Sequence, residues 1–245
     1  MRILSLVAFC ILAISGLGAE NTVKLPVYRP NGTIGEKVTL QVVAMYDSNF
    51  TVSGKEPDES EVQPQQAERD PFEAYLKTLF EQVQIFLHNH SIMINITVIS
   101  VYKMDNLTSY TYDPHIINVN KTMDNIIKFG ESQKKSVDTV FFLFTWPSNV
   151  SNPRRLFEEI KEETTHRLGV SEAATRGTFC SSSTSAALIR HKYLSHDIWS
   201  TEKAAMTIFG AQHFLALRSQ DYTLMNQTFS RCPKHSGDGG SFAGC

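Results

Sequence analysis

The chain has 245 residues, with 23 basic against 25 acidic side chains and 42% apolar residues. That length suits one domain with a sizeable core. A net charge of −2 gives no electrostatic case for a nucleic-acid or anionic-membrane partner.

Arg2, the apolar run 3–14 and the small-residue stretch Ser15-Gly16-Leu17-Gly18-Ala19 have the three regions of a signal peptide, predicted to span 1–19. The run is shorter than the roughly 20 residues a membrane span needs. No later segment is long enough to cross. The expected layout is a signal peptide (1–19), an N-terminal segment (20–36), one domain (37–232) and a C-terminal tail (233–245), secreted to the extracellular space.

Val38 to Tyr46 is rich in β-branched residues and reads as a first strand. The stretch 51–70 is polar and reads as an exposed loop. From Pro71 to His90, Phe72, Tyr75, Leu79, Val83 and Phe86 keep a helical period. Ile92 to Val101 reads as a second strand and Thr122 to Lys135 as a helix. Val137 to Thr145 is a nearly continuous apolar run, the pattern of a strand buried on both faces. Arg154 to Arg167 reads as a charged helix, Ala186 to Arg190 as an edge strand, and Thr201 to Leu217 as a final helix, with Ser200-Thr201-Glu202 as its N-cap signal. This alternation predicts an α/β (α+β) fold: a twisted mixed sheet, mostly parallel, packed on long helices in a single domain.

Eight N-x-S/T sequons occur, at Asn31, Asn49, Asn89, Asn95, Asn106, Asn120, Asn149 and Asn226. With a signal peptide they imply a glycoprotein. Asn95 falls inside a predicted strand, so the expected glycan set is the other seven. Of four cysteines, Cys10 leaves with the signal peptide. The remaining Cys180, Cys232 and Cys245 are too few and too widely spaced for a zinc finger and favour disulfides.

Several local patterns carry residue types that could do chemistry. His88-Asn89-His90 lacks the further histidines and acids of a nuclease and reads as a solvated helix end. Glu159, Glu163 and His166 share a helical face, but Lys161, Glu162 and Arg167 make that an exposed charged face. His191 and His196 flank a loop with Asp197 and read as surface residues. Cys180 beside Ser181 reads as a structural thiol. No nucleophile elbow, P-loop or dinucleotide fingerprint is present.

The most informative stretch is Phe209 to Ser219, F-G-A-Q-H-F-L-A-L-R-S. Beside it stand Gly177-Thr178-Phe179-Cys180, Ser185-Ala186-Ala187-Leu188-Ile189, Asp221-Tyr222-Thr223-Leu224-Met225-Asn226 and Phe229-Ser230-Arg231-Cys232. Together these resemble the cysteine loop, substrate-edge strand, Met-turn and closing F-S-x-C of the reprolysin (adamalysin-like) branch of metzincin metalloproteases. The similarity is greatest to the secreted salivary metalloproteases of blood-feeding ticks, and it runs from about Val38 to Cys232. The family's helix reads H-E-x-x-H-x-x-G-x-x-H: three zinc-binding histidines, a glutamate that deprotonates the zinc-bound water, and a glycine where the helix breaks.

Setting His213 on the second histidine puts Phe209 at the first, Gly210 at the glutamate, Ala216 at the glycine and Ser219 at the third. Phe209 and His213 are then expected on one helical face, with Phe209 filling the metal's space and Met225 beneath the cleft. The resemblance implies a Cys180–Cys232 disulfide; Cys245 could instead pair with Cys232, or join another chain. Phe209 offers zinc no lone pair, Ser219 is a poor ligand and Gly210 carries no base, so the expectation is a protein without catalytic residues, zinc or other cofactor that binds an extracellular host protein. An active zinc endopeptidase with His213 plus His191 or His196 as ligands is the alternative, and an unrelated secreted α/β domain a third reading.

Overall fold

The computed structural model describes residues 32–52, 70–146, 157–160 and 167–233. The predicted signal peptide, Asn31, Asn149 and Cys245 lie outside them.

The elements run β1 (Thr39–Tyr46), α1 (Ser48–Val52), α2 (Pro71–Asn89), β2 (Asn95–Lys103), α3 (Val119–Gln133), β3 (Thr139–Thr145), β4 (Phe157–Ile160), β5 (Arg167–Val170), β6 (Glu172–Ala174), β7 (Ser185–Arg190), α4 (Trp199–Ile208) and α5 (Ser219–Phe229). Five strands form one sheet in the order β2-β1-β3-β7-β6. The pairs β1–β2, β1–β3 and β3–β7 are parallel, and only β6 runs antiparallel to its neighbour β7. The fold is a single mixed α/β domain.

Strand chemistry explains the centre of this sheet. Every residue of β3, T-V-F-F-L-F-T, is buried, as its unbroken apolar run requires with helices on both faces. On one face Val42, Val140, Phe142 and Ile189 pack against Leu76, Phe80 and Val83 of α2 and against α4 and α5. On the other, Val43, Met45, Phe141 and Leu143 meet Ile126 of α3, with Phe157 joining them. Each fully buried phenylalanine of this kind contributes about 1.5–3 kcal/mol.

Local signals set the helix ends. Asp70 caps α2 by accepting from the Phe72 amide at 2.9 Å, with Pro71 at the first helical position. Asn118 caps α3 by accepting from the Lys121 amide at 3.1 Å.

Two sequence readings are corrected here. The stretch expected as a charged helix, Arg154 to Arg167, instead contributes β4, which pairs antiparallel with β5. Phe157 and Ile160 are spaced as a helix would have them. However, burial of Phe157 in the second core and ladder bonds to β5 fix the extended form. Strand β7 is not an edge: it lies between β3 and the short strand β6, which holds that edge instead. Among the described residues no helix is long and apolar enough to cross a membrane.

Candidate functional site

Helix α4 ends at Ile208, well short of Leu217. It also begins at Trp199, so Ser200 and Thr201 sit in the first turn rather than capping it. Phe209 is the C-cap, and Gly210 follows at φ 99°. That left-handed backbone is open to glycine and strained for other residues. The chain leaves the helix here, so Phe209 and His213 do not share a helical face. The apolar residues 211–217 carry the sequence pattern past a break that the backbone makes at Gly210.

Phe209 is fully buried, with ring centroids 5.2 Å from both Phe179 and Phe229. It belongs to the core beside the cross-link and fills no ligand space. The disulfide joins Cys180 and Cys232, with Cα atoms 4.9 Å apart, the pair that the resemblance implies. The Met-turn reading also fails: Asp221 to Asn226 lie within helix α5. Met225 is buried one turn beyond Asp221 on that helix. Ser219 is the exposed first residue of α5.

His213 has a carboxylate partner that the sequence did not suggest. Asp221 is fully buried and accepts from the backbone amides of Gln212 at 2.8 Å, His213 at 3.1 Å and Arg218 at 2.8 Å. Its second oxygen also lies 3.1 Å from His213 Nδ1. Burial works to raise the Asp221 pKa, but the donors from Arg218, Gln212 and His213 outweigh it, and the net shift is downward. With Nδ1 held by the carboxylate, Nε2 is left as the free ring nitrogen.

If the H-E-x-x-H-x-x-G-x-x-H pattern is set with its glycine on Gly210, where the helix breaks, its three histidines fall on Lys203, Thr207 and His213 and its glutamate on Ala204. Lys203 and Thr207 are four apart on α4 and share its face. Lys203 and His213 then line one cleft of about 350 Å³, with Trp199, Phe214, Ala216 and Arg218. Trp199 stacks edge-on against Phe214 at 4.6 Å.

These donors do not suit zinc. The Lys203 ammonium is a cation with no lone pair to give, and it pairs with Glu172 of β6 at 2.5 Å. The Thr207 hydroxyl donates to the Lys203 carbonyl at 2.9 Å. His213 alone is a ligand type, against the three a catalytic zinc requires. Ala204, which falls on the pattern's glutamate, has no proton-accepting group. Among the described residues no three His, Cys, Asp or Glu side chains converge as a metal-holding group.

The other flagged histidines sit elsewhere. His191 is buried, its Nε2 2.5 Å from the Tyr75 hydroxyl, and desolvation pushes its pKa down to about 4. It is a core residue rather than the surface residue expected. His196 is exposed. His88 and His90 are half-buried, bonded to the carbonyls of Ile94 and Phe86. Next to Lys203, Glu202 is almost wholly buried; burial first, then the Asp197 charge, raises its pKa to about 7.

Among the sequons, Asn89, Asn95, Asn106, Asn120 and Asn226 are exposed. Asn49 is half-buried, its amide donating to the Tyr110 hydroxyl at 2.9 Å. Sequence reasoning missed Lys203, Glu172 and Arg218. The G-x-x-H spacing of Gly210 and His213 was the signal that could have found the register.

No family model and no curated protein matches the chain. Among solved structures, the crystal structure of metalloproteinase-II from Bacteroides fragilis is similar at 10% identity, over 83% of this chain and 57% of that one, with a TM-score of 0.43. This chain therefore spans little more than half of that protein's length. At that score the overlap carries no argument about fold or chemistry.

Proposed function

We propose that the protein is a secreted, N-glycosylated, non-catalytic member of the reprolysin-like metalloproteases, similar to those of tick saliva, that binds an extracellular host protein through the cleft between α4 and the 213–218 segment. The observation that carries this reading is Lys203. In the register set by the Gly210 break, an ammonium ion occupies the first ligand position and is paired to Glu172. A cation there repels a second cation instead of coordinating it. Trp199 and Leu215 support the binding half: both are large, apolar and exposed, at 43% and 69%, beside this cleft. Exposed apolar surface around a concave site favours protein contacts.

The test is a gain of function. In K203H/T207H two histidines would share a face of α4, the first of them in the cleft that His213, held by Asp221, also lines. The expected outcome is zinc bound by the double variant at about one per chain, against none by the parent. Adding A204E supplies the missing base and should yield chelator-sensitive casein cleavage. Zinc binding by the parent that is lost on His213→Ala would overturn the reading and favour an active enzyme with other ligands.

A further inference from the structure

The structure assigns an eighth glycan to Asn95 and gives it a purpose: we propose that the sugar guards the open edge of the sheet. Among the described residues strand β2 is outermost, paired only to β1. Asn95 and Thr97, the two chemical residues of the N-I-T sequon, are both exposed. Their register partners are Thr39 and Gln41. Alternation puts them on the face opposite Ile96 and Val98, which pack into the α2 side of the core. An asparagine within a strand is a poor acceptor when its strand is central. Here it stands at the first residue of an edge.

The edge needs a guard because its sequence, N-I-T-V-I-S-V-Y-K, is β-branched and carries no charge before Lys103. Such a strand offers unpaired backbone groups to a second copy of the chain. Its latter half is already disrupted. The register slips between Val42 and Val43, which leaves Ile99 as the extra residue of a bulge. Asn95 to Val98, by contrast, run in unbroken register with β1. One outward amide there, Ile96, is taken by the Gln84 side chain at 2.5 Å. A branched, hydrated sugar on Asn95 covers the start of this regular half.

The inference rests on passage through the secretory pathway, as in the proposed function. The test is expression of the full chain in a secreting eukaryotic host, with site-by-site glycan mapping by mass spectrometry and light scattering of the eluted protein. Asn95 should be occupied and the protein monomeric. N95Q should form dimers or larger species, whereas N226Q should not. N95K, which also removes the sugar but places a charge on the edge, should stay monomeric. An empty Asn95 beside filled Asn106 and Asn226 overturns the assignment alone. No glycan at any sequon overturns the secretory reading, and this inference with it. An occupied Asn95 with a monomeric N95Q overturns the guarding role.

Discussion

Two buried titratable residues, Glu202 and His191, pull the stability of this protein in opposite directions with pH. The folded state raises Glu202 from 4.5 to about 7, so its contribution is present below pH 4.5 and is lost as pH rises through about 7. The folded state lowers His191 from 6.5 to about 4, so its contribution is present above pH 6.5 and is lost as pH falls toward about 4. Between pH 4.5 and 6.5 the two nearly cancel. Urea unfolding of the parent should therefore show a shallow pH dependence across that window. Glu202→Gln should be more stable than the parent at pH 8 by on the order of 1–3 kcal/mol, and should reveal the acid loss due to His191. His191→Gln should instead lose stability as pH rises from 4.5 to 7. Parallel profiles for all three proteins would contradict both assignments. Neither behaviour was legible in sequence, where His191 read as a loop residue and Glu202 as a helix-start acid; burial against Tyr75 and beside Asp197 decides both.

Elements that depend on local signals were legible, and those that depend on partners were not. The α2 helix was readable from its period, and β3 from its unbroken apolar run. The β4–β5 pair was not, because a strand four residues long owes its form to its neighbour. For α4, the apolar residues beyond Gly210 imitated two further helical turns. A glycine within such a run does not announce whether the chain will break there. Gly210→Ala tests the break directly. The added Cβ meets Thr228 Oγ1 at an ordinary 3.5 Å, so the penalty is backbone strain alone, about 1–2 kcal/mol. Thermal unfolding should show that loss. An unchanged midpoint would mean that the helix end tolerates a different backbone. Lys203→Met should cost less, about 1 kcal/mol or under, since its pair with Glu172 is half exposed on the lysine side.

For the whole molecule, the Cys180–Cys232 cross-link ties the loop before β7 to the end of α5, across 52 residues of sequence. Replacing both cysteines by alanine should lower stability by roughly 4 kcal/mol in the chain-entropy model; a loss near zero would show that the closed loop is ordered before the bond forms. Helix α4 and the segment after it bring Lys203 and His213 to one cleft, and the proposed function sets these two and Thr207 in the ligand positions of a metalloprotease helix. Which residues the H-E-x-x-H-x-x-G-x-x-H pattern would set in its ligand positions depended on where helix α4 stops, which the sequence did not announce. The direct measurement is the metal content of secreted, homogeneous protein after equilibration with excess zinc and removal of the free ion. The account predicts well under ~0.1 zinc per chain, unchanged in His213→Ala, because catalytic zinc needs three protein ligands. About one zinc per chain, lost in His213→Ala, would contradict it.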